Sequence, residues 1–128
     1  AMEVAAGIRE KMQVFGDNYN THDGTGVRDY IHVSDLAIAH MKALNYISEN
    51  DKDLLVNLAT GEGHSVLDVI NKSKEVSGKD IPFDIVGRRA GDPATVVAVS
   101  NRANKVLDWS TKYSDLDTLI RTSWDVYK

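Results

Sequence analysis

Between Val14 and Leu36 the chain passes from a short apolar run, Val14-Phe15-Gly16, through a polar loop to Gly24-Thr25-Gly26-Val27-Arg28-Asp29-Tyr30-Ile31-His32-Val33-Ser34-Asp35-Leu36. A glycine-rich loop delivers an arginine, a β-type run follows it, and a residue suited to capping then opens a helix. Strands that alternate with helices in this way predict a mixed α/β fold. At 128 residues the chain suits one domain, residues 1–128, long enough to bury about two-thirds of the surface its unfolded form exposes.

The remaining pattern extends that reading. Val4, Ile8 and Met12 recur in steps of four, so residues 1–12 read as the tail of a helix. Gln13-Val14-Phe15 reads as a strand, 16–26 as a loop and 28–32 as a second strand. Ser34 or Asp35 is the expected cap of a helix to about Ser48, with Leu36, His40, Ala43 and Ile47 on one side. The near-continuous apolar run Leu54–Leu58 suits a strand buried on both faces. Ser65 and Asp68 have capping-box spacing before a helix carrying Val66, Val69, Ile70 and Ser73, which Gly78 should stop. Residues 81–86 read as a strand, Ser100 as the cap of a helix through Leu107, and Ser114 with Asp117 as the start of a last helix. That helix carries Leu116, Leu119, Ile120, Ser123, Trp124 and Tyr127 at helical spacing.

Composition removes several function classes. Fifteen basic against nineteen acidic residues give a net charge of −4, which speaks against a nucleic-acid surface or a polybasic membrane patch. No apolar run approaches the ~20 residues of a membrane span. With no cysteine, disulfides, thiolate catalysis and cysteine-bound zinc are excluded, and a cytoplasmic location is compatible with that. His22, His32, His40 and His64 show no local ligand spacing, so no metal is expected. Asp115 and Asp117 lie at a helix N-terminus, where the helix dipole accounts for them.

Gly61-x-Gly63 stands between a strand and a helix, as a dinucleotide-binding turn does. The third glycine of that fingerprint is replaced by Val66, so no cofactor phosphate is assigned there. Arg28 and Arg89 are the better candidates for chemistry. A diphosphate calls for permanently charged, fork-shaped donors, and arginine supplies both properties. Arg28 follows glycines that let a ligand approach the backbone, and Arg89 precedes Gly91-Asp92, whose carboxylate can accept from vicinal hydroxyls.

The stretch around Gly24–Leu36, together with Asn57-Leu58-Ala59-Thr60-Gly61-Glu62-Gly63, Arg88-Arg89-Ala90-Gly91-Asp92 and Val106-Leu107-Asp108-Trp109, resembles the UDP-galactose 4-epimerases, which are extended short-chain dehydrogenase/reductases. The motifs occur in family order and cover nearly the whole chain. The resemblance implies the C-terminal, UDP-sugar-binding domain of such an isomerase of galactose and nucleotide-sugar metabolism, without its Rossmann domain. It puts Arg28 and Arg89 on the UDP diphosphate, Asp92 by the ribose, and Gln13, Val14 and Phe15 on the strand whose backbone reads uracil. Val96 stands at the sugar end, where relatives often carry Tyr or Cys, and Val99 replaces a usual aspartate.

In the complete enzyme the resemblance implies NAD as hydride acceptor and a Tyr-x-x-x-Lys pair as base. None of the five tyrosines here has a lysine four positions on. These residues alone are therefore expected to be inactive and to bind no NAD, with base and cofactor supplied by a preceding dinucleotide-binding domain. Homodimerisation is implied for the full-length enzyme, and self-association for this part. The alternatives are a stand-alone nucleotide-sugar-binding module and part of a related dehydratase or decarboxylase.

Overall fold

Val14, 1% exposed, anchors the first of two cores in a computed structural model that describes all 128 residues. It lies in β1 (Met12–Phe15), which pairs in parallel with β4 (Phe83–Val86), Met12 opposite Phe83 and Phe15 opposite Val86. Parallel neighbours need a long crossover. Here that crossover holds β2 (Val27–Arg28), α2 (Val33–Asn50), β3 (His64–Ser65) and α3 (Val66–Ser77). Val14 packs with Ile70 of α3, with Ile81, and with Val4 and Ala5 of α1 (Met2–Ala5). A second sheet orders β3-β2-β5, where β5 is Thr95–Val96; β2 is antiparallel to β3 and parallel to β5. The second core joins Ala39 of α2 to Ala103 and Leu107 of α4 (Asn101–Leu107) and to Trp109; α5 (Leu116–Asp125) packs on α3.

Local signals that close within four residues form as read. Ser65 and Asp68 make both bonds of the capping box, and α3 ends at Gly78 in the left-handed conformation. Helix α4 spans the expected residues, although the Ser100 side chain makes no cap bond.

Several expectations are corrected. The first helix stops at Ala5, Ile8 is 69% exposed, and Met12 already belongs to β1. The second strand is only Val27–Arg28, because β3 and β5 offer two paired residues each. Neither Ser34 nor Asp35 caps α2: the His32 ring accepts from the Ser34 N–H at 3.0 Å, and the helix runs on to Asn50. Its inner face carries Asp35 and Ala39, while His40 and Ile47 are exposed. Ser114 is likewise not the cap of α5. Its hydroxyl donates to Asp35 at 2.6 Å, and Asp115 caps instead.

Leu54–Leu58 forms no strand, since no neighbour lies alongside to receive its peptide groups. It nevertheless alternates as an extended run would. Leu54, Val56 and Leu58 pack on the second core, and Leu55 is 82% exposed. No helix is long and apolar enough to cross a membrane.

Candidate functional site

The free edge of β1 is one wall of the site. Met12 N–H donates to Pro82 C=O at 3.1 Å and Gly16 N–H to Val86 C=O at 2.9 Å. In a parallel ladder every second residue turns its peptide groups toward a given neighbour. Met12, Val14 and Gly16 therefore face β4, and the N–H and C=O of Gln13 and Phe15 point along the unpaired edge. The Val14 side chain belongs to the core.

Arg89 holds its guanidinium 3.7 Å from the centroid of the Phe15 ring. That distance is within the range of a cation–π contact, which fixes a cation without neutralising it. Gln13, Phe15 and Arg89 line a cleft of about 570 Å³, together with Arg9, Lys11 and Asp84. Arg9 is paired with Glu3 at 2.9 Å and Lys11 with Asp84 at 2.5 Å, whereas Arg89 has no carboxylate partner.

Arg28, at the end of β2, is tied more firmly. Its Nη1 donates to Val27 C=O at 2.7 Å and to Ala94 C=O at 3.5 Å, and its Nη2 donates to the Asp92 carboxylate. Both partners of that ion pair are about 30% exposed on their side chains, 27% for Arg28 and 30% for Asp92. Of the five guanidinium donors, Nε–H and one Nη2–H remain for a ligand. Asp92 N–H donates to Arg89 C=O at 3.2 Å, so one tight turn carries both Arg89 and the carboxylate that holds Arg28. Val96 lies opposite Arg28 in β5 and is 47% exposed. Tyr30 is half-buried beside them; burial pushes its phenol up, opposed by the Arg28 charge.

Two aspartates shape the loops around this constellation, and sequence reasoning passed over both. Asp29 accepts from Thr60 N–H at 3.0 Å, Thr60 Oγ1 at 2.7 Å and Gly61 N–H at 3.1 Å, which fastens the Gly61 turn to the end of β2. Asp23 accepts from the N–H and hydroxyl of Thr25, both at 2.8 Å, and from the Ser65 hydroxyl. At Asp23 the available signal was a carboxylate two residues before a Thr-Gly step; Asp29 meets its Thr-Gly step across 31 residues, with no local signal. The fold also brings His22, Asp23 and Asp68 within 4.8 Å of one another, a proximity that local spacing hides. Burial pushes both carboxyls up, and donors from Ser65, with Thr25 at Asp23, outweigh it and hold both below the usual range. The Asp68 oxygens complete the capping box, and those of Asp23 tie Thr25 to Ser65.

The Gly61-x-Gly63 turn does not fit a dinucleotide. A Cβ on Gly63 would lie 2.5 Å from Val27 Cγ1 and 2.7 Å from Val97 Cγ2, so those two side chains claim that space. Val66 N–H is spent on Gly26 C=O at 3.1 Å, and the capping box occupies two further donors at the start of α3. A phosphate would find no free cradle of N–H groups there.

Residues 1–122 match the family model described as GDP-mannose 4,6 dehydratase. The UDP-glucose 4-epimerase of Lacticaseibacillus casei is 44% identical over 124 residues, covering 97% of this chain and 38% of that protein. The structure of Stenotrophomonas maltophila UDP-glucose-4-epimerase, with bound NAD and formylated UDP-arabinopyranose, aligns at a TM-score of 0.93. It is 45% identical over 98% of this chain and 37% of its own. The Bifidobacterium longum UDP-glucose 4-epimerase, in complex with NAD+ and UDP, gives 0.87 and 40% identity over 97% of this chain and 36% of its own. The chain thus spans little more than a third of the length of the relatives it matches. On that near-complete match, the chain belongs to the GDP-mannose 4,6 dehydratase family, and its similar relatives there are UDP-glucose 4-epimerases.

Proposed function

We propose that these residues form the UDP-sugar-holding, C-terminal part of a UDP-glucose 4-epimerase. One observation carries the reading: Arg89, without a carboxylate partner, lies over Phe15 at a cleft bordered by an unpaired strand edge. Uracil presents carbonyl acceptors on either side of an N–H donor, and the peptide groups of Gln13 and Phe15 supply the complement. Arg89 and the free donors of Arg28 would hold the diphosphate, and Asp92 would keep Arg28 in place while accepting from the ribose. Val96 would border the sugar.

In the complete enzyme NAD would supply the hydride-transfer chemistry. The turn at Gly61 does not suit it, so cofactor and base would come from residues outside these 128. What this chain contributes is position: a nucleotide held at one end leaves the sugar free to turn about its diphosphate link. A 4,6-dehydratase reading has the family model's description in its favour, whereas the relatives above 40% identity favour epimerisation.

Titration calorimetry tests the reading. The 128-residue chain should bind UDP more tightly than uridine and should not interconvert UDP-galactose and UDP-glucose with added NAD. Arg28→Ala or Arg89→Ala should each cost on the order of 2–5 kcal/mol of UDP affinity, the range for truncating one partner of a charge-assisted contact. UDP affinity unchanged in both variants would overturn the site assignment. Turnover that tracks the concentration of pure chain would overturn the division of labour.

A further inference from the structure

Arg88 and Arg89 are consecutive, yet their side chains diverge. Arg89 lies on Phe15, while Arg88 lies 3.9 Å from the centroid of the Tyr19 ring. Arg88 also grips Asn18 at two points: Nε donates to the side-chain Oδ1 at 2.6 Å, and Nη2 donates to the backbone C=O. An arginine next to a diphosphate site would ordinarily be read as another anion contact. This one spends its fork on a neutral amide and a carbonyl, and its flat face on a tyrosine.

The receiving surface is built for it. Gly16 sits between Phe15 and the loop at φ +87°, and a Cβ there would lie 2.5 Å from Arg88 Cγ and 3.0 Å from Tyr19 Cε2. No other side chain allows that backbone and that approach together. Tyr19 is 6% exposed, and its N–H donates to Gly24 C=O at 2.8 Å, which folds the loop back on itself. Thr21 Oγ1 adds a bond to Thr25 C=O at 2.7 Å. The loop is therefore a closed unit that leads, at Val27–Arg28, directly into the first diphosphate arginine. Arg88 joins that unit to the turn bearing the second.

We infer that Arg88 is a positioning residue: it clamps the Gly16–Gly26 loop to the Gly87–Asp92 turn, so that Arg28 and Arg89 address one diphosphate. This rests on the UDP reading above. Only the fork and plane of arginine provide both the two-point grip and the stack; lysine keeps the charge alone.

The test uses the intact chain and reads UDP affinity, uridine affinity and amide hydrogen exchange. Arg88→Ala should weaken UDP about tenfold, the worth of one charge-assisted hydrogen bond, and leave uridine within about twofold. Arg88→Lys should recover little of the loss. Exchange at the Tyr19 amide should quicken in both variants without ligand, while the amides of α3 stay protected. Rescue by lysine would make the effect one of charge and overturn the inference. So would equal losses for UDP and uridine, or unchanged exchange at Tyr19. If Arg88→Ala is silent while Arg28→Ala abolishes UDP binding, the clamp fails and the UDP site stands. If the wild-type chain binds no UDP, the site reading falls, and the inference falls with it.

Discussion

Removing the Asp35 carboxylate should damage the fold more than any other single polar change. Asp35 is fully buried in the first turn of α2. It accepts from Lys112 N–H at 3.0 Å, Tyr113 N–H at 2.9 Å and the Ser114 hydroxyl at 2.6 Å. Ser114 Oγ in turn accepts from His32 N–H at 2.9 Å, so one carboxylate joins the start of α2 to the approach of α5. A buried donor left without a partner costs about 1–3 kcal/mol. Lys112 and Tyr113 are exposed residues whose amides can turn to water, whereas Ser114 is 6% exposed and bears the full loss. With about 1–3 kcal/mol for Ser114 and about 1 kcal/mol net for each of the two amide bonds lost, Asp35→Ala should cost about 3–5 kcal/mol, a large share of the ~5–15 kcal/mol typical of a domain. For a chain of this size that is a fall in Tm of roughly 10–20 °C. Asp35→Asn keeps one acceptor but sets an NH2 against donors, at about 2–4 kcal/mol.

The pH dependence gives a second reading of the same contact. Burial pushes the Asp35 carboxyl up; the Ser114 hydroxyl, the Tyr113 and Lys112 amides and the His32 charge outweigh it, and the net shift is down. A carboxyl depressed in the folded state adds stability that is complete above its unfolded pKa of about 3.9 and is lost as pH falls through the folded value. The gap in stability between wild type and Asp35→Asn should accordingly hold from pH 7 to about 5 and close in acid. Urea melts followed by circular dichroism across that range are the assay. A loss below ~0.5 kcal/mol in Asp35→Ala, or a gap that stays constant into strong acid, would refute the reasoning.

The outer face of α2 exposes Met41 at 63%, Leu44 at 64% and Ile47 at 44%, and Leu55 is 82% exposed nearby. The 128-residue chain should therefore self-associate in a dilution series followed by light scattering, and Leu44→Lys with Leu55→Lys should shift it toward monomer; a concentration-independent monomer that binds no apolar dye would contradict this. If Val96 borders the sugar as proposed, valine there leaves more room than tyrosine would, so the complete enzyme should accept UDP-N-acetylglucosamine beside UDP-glucose, and Val96→Tyr should exclude it. Strict exclusion by the wild type in a competition assay would count against the assignment.

What could be read from the sequence is what closes within a turn of chain. The capping box of Ser65 and Asp68, the stop at Gly78 and the extent of α4 need partners at most four residues away, so local chemistry decides them. The strand at Gln13–Phe15 is legible from its apolar run, although the partner that makes it a strand is Phe83–Val86. The α/β class follows from their alternation. Arg28, Arg89 and Asp92 could be put forward as candidates because a diphosphate calls for such groups and the family resemblance points to them, but their arrangement could not be read. The Arg28–Asp92 pair spans 64 residues and depends on β5 lying parallel to β2, a two-residue pairing with almost no local signal of its own.

Tertiary structure also reassigned groups that could serve more than one partner. Asp35 and Ser114 each have the chemistry of a helix cap, and each would cap in isolation. Brought together they satisfy one another and the 112–113 amides out of water, which leaves the caps to His32 and Asp115. Leu54–Leu58 has the composition of a central strand, yet a strand exists only where a neighbour receives its peptide groups, and these 128 residues place none beside it. Sequence specifies which bonds a residue is able to make; only the packed chain decides which partner is near enough to make them.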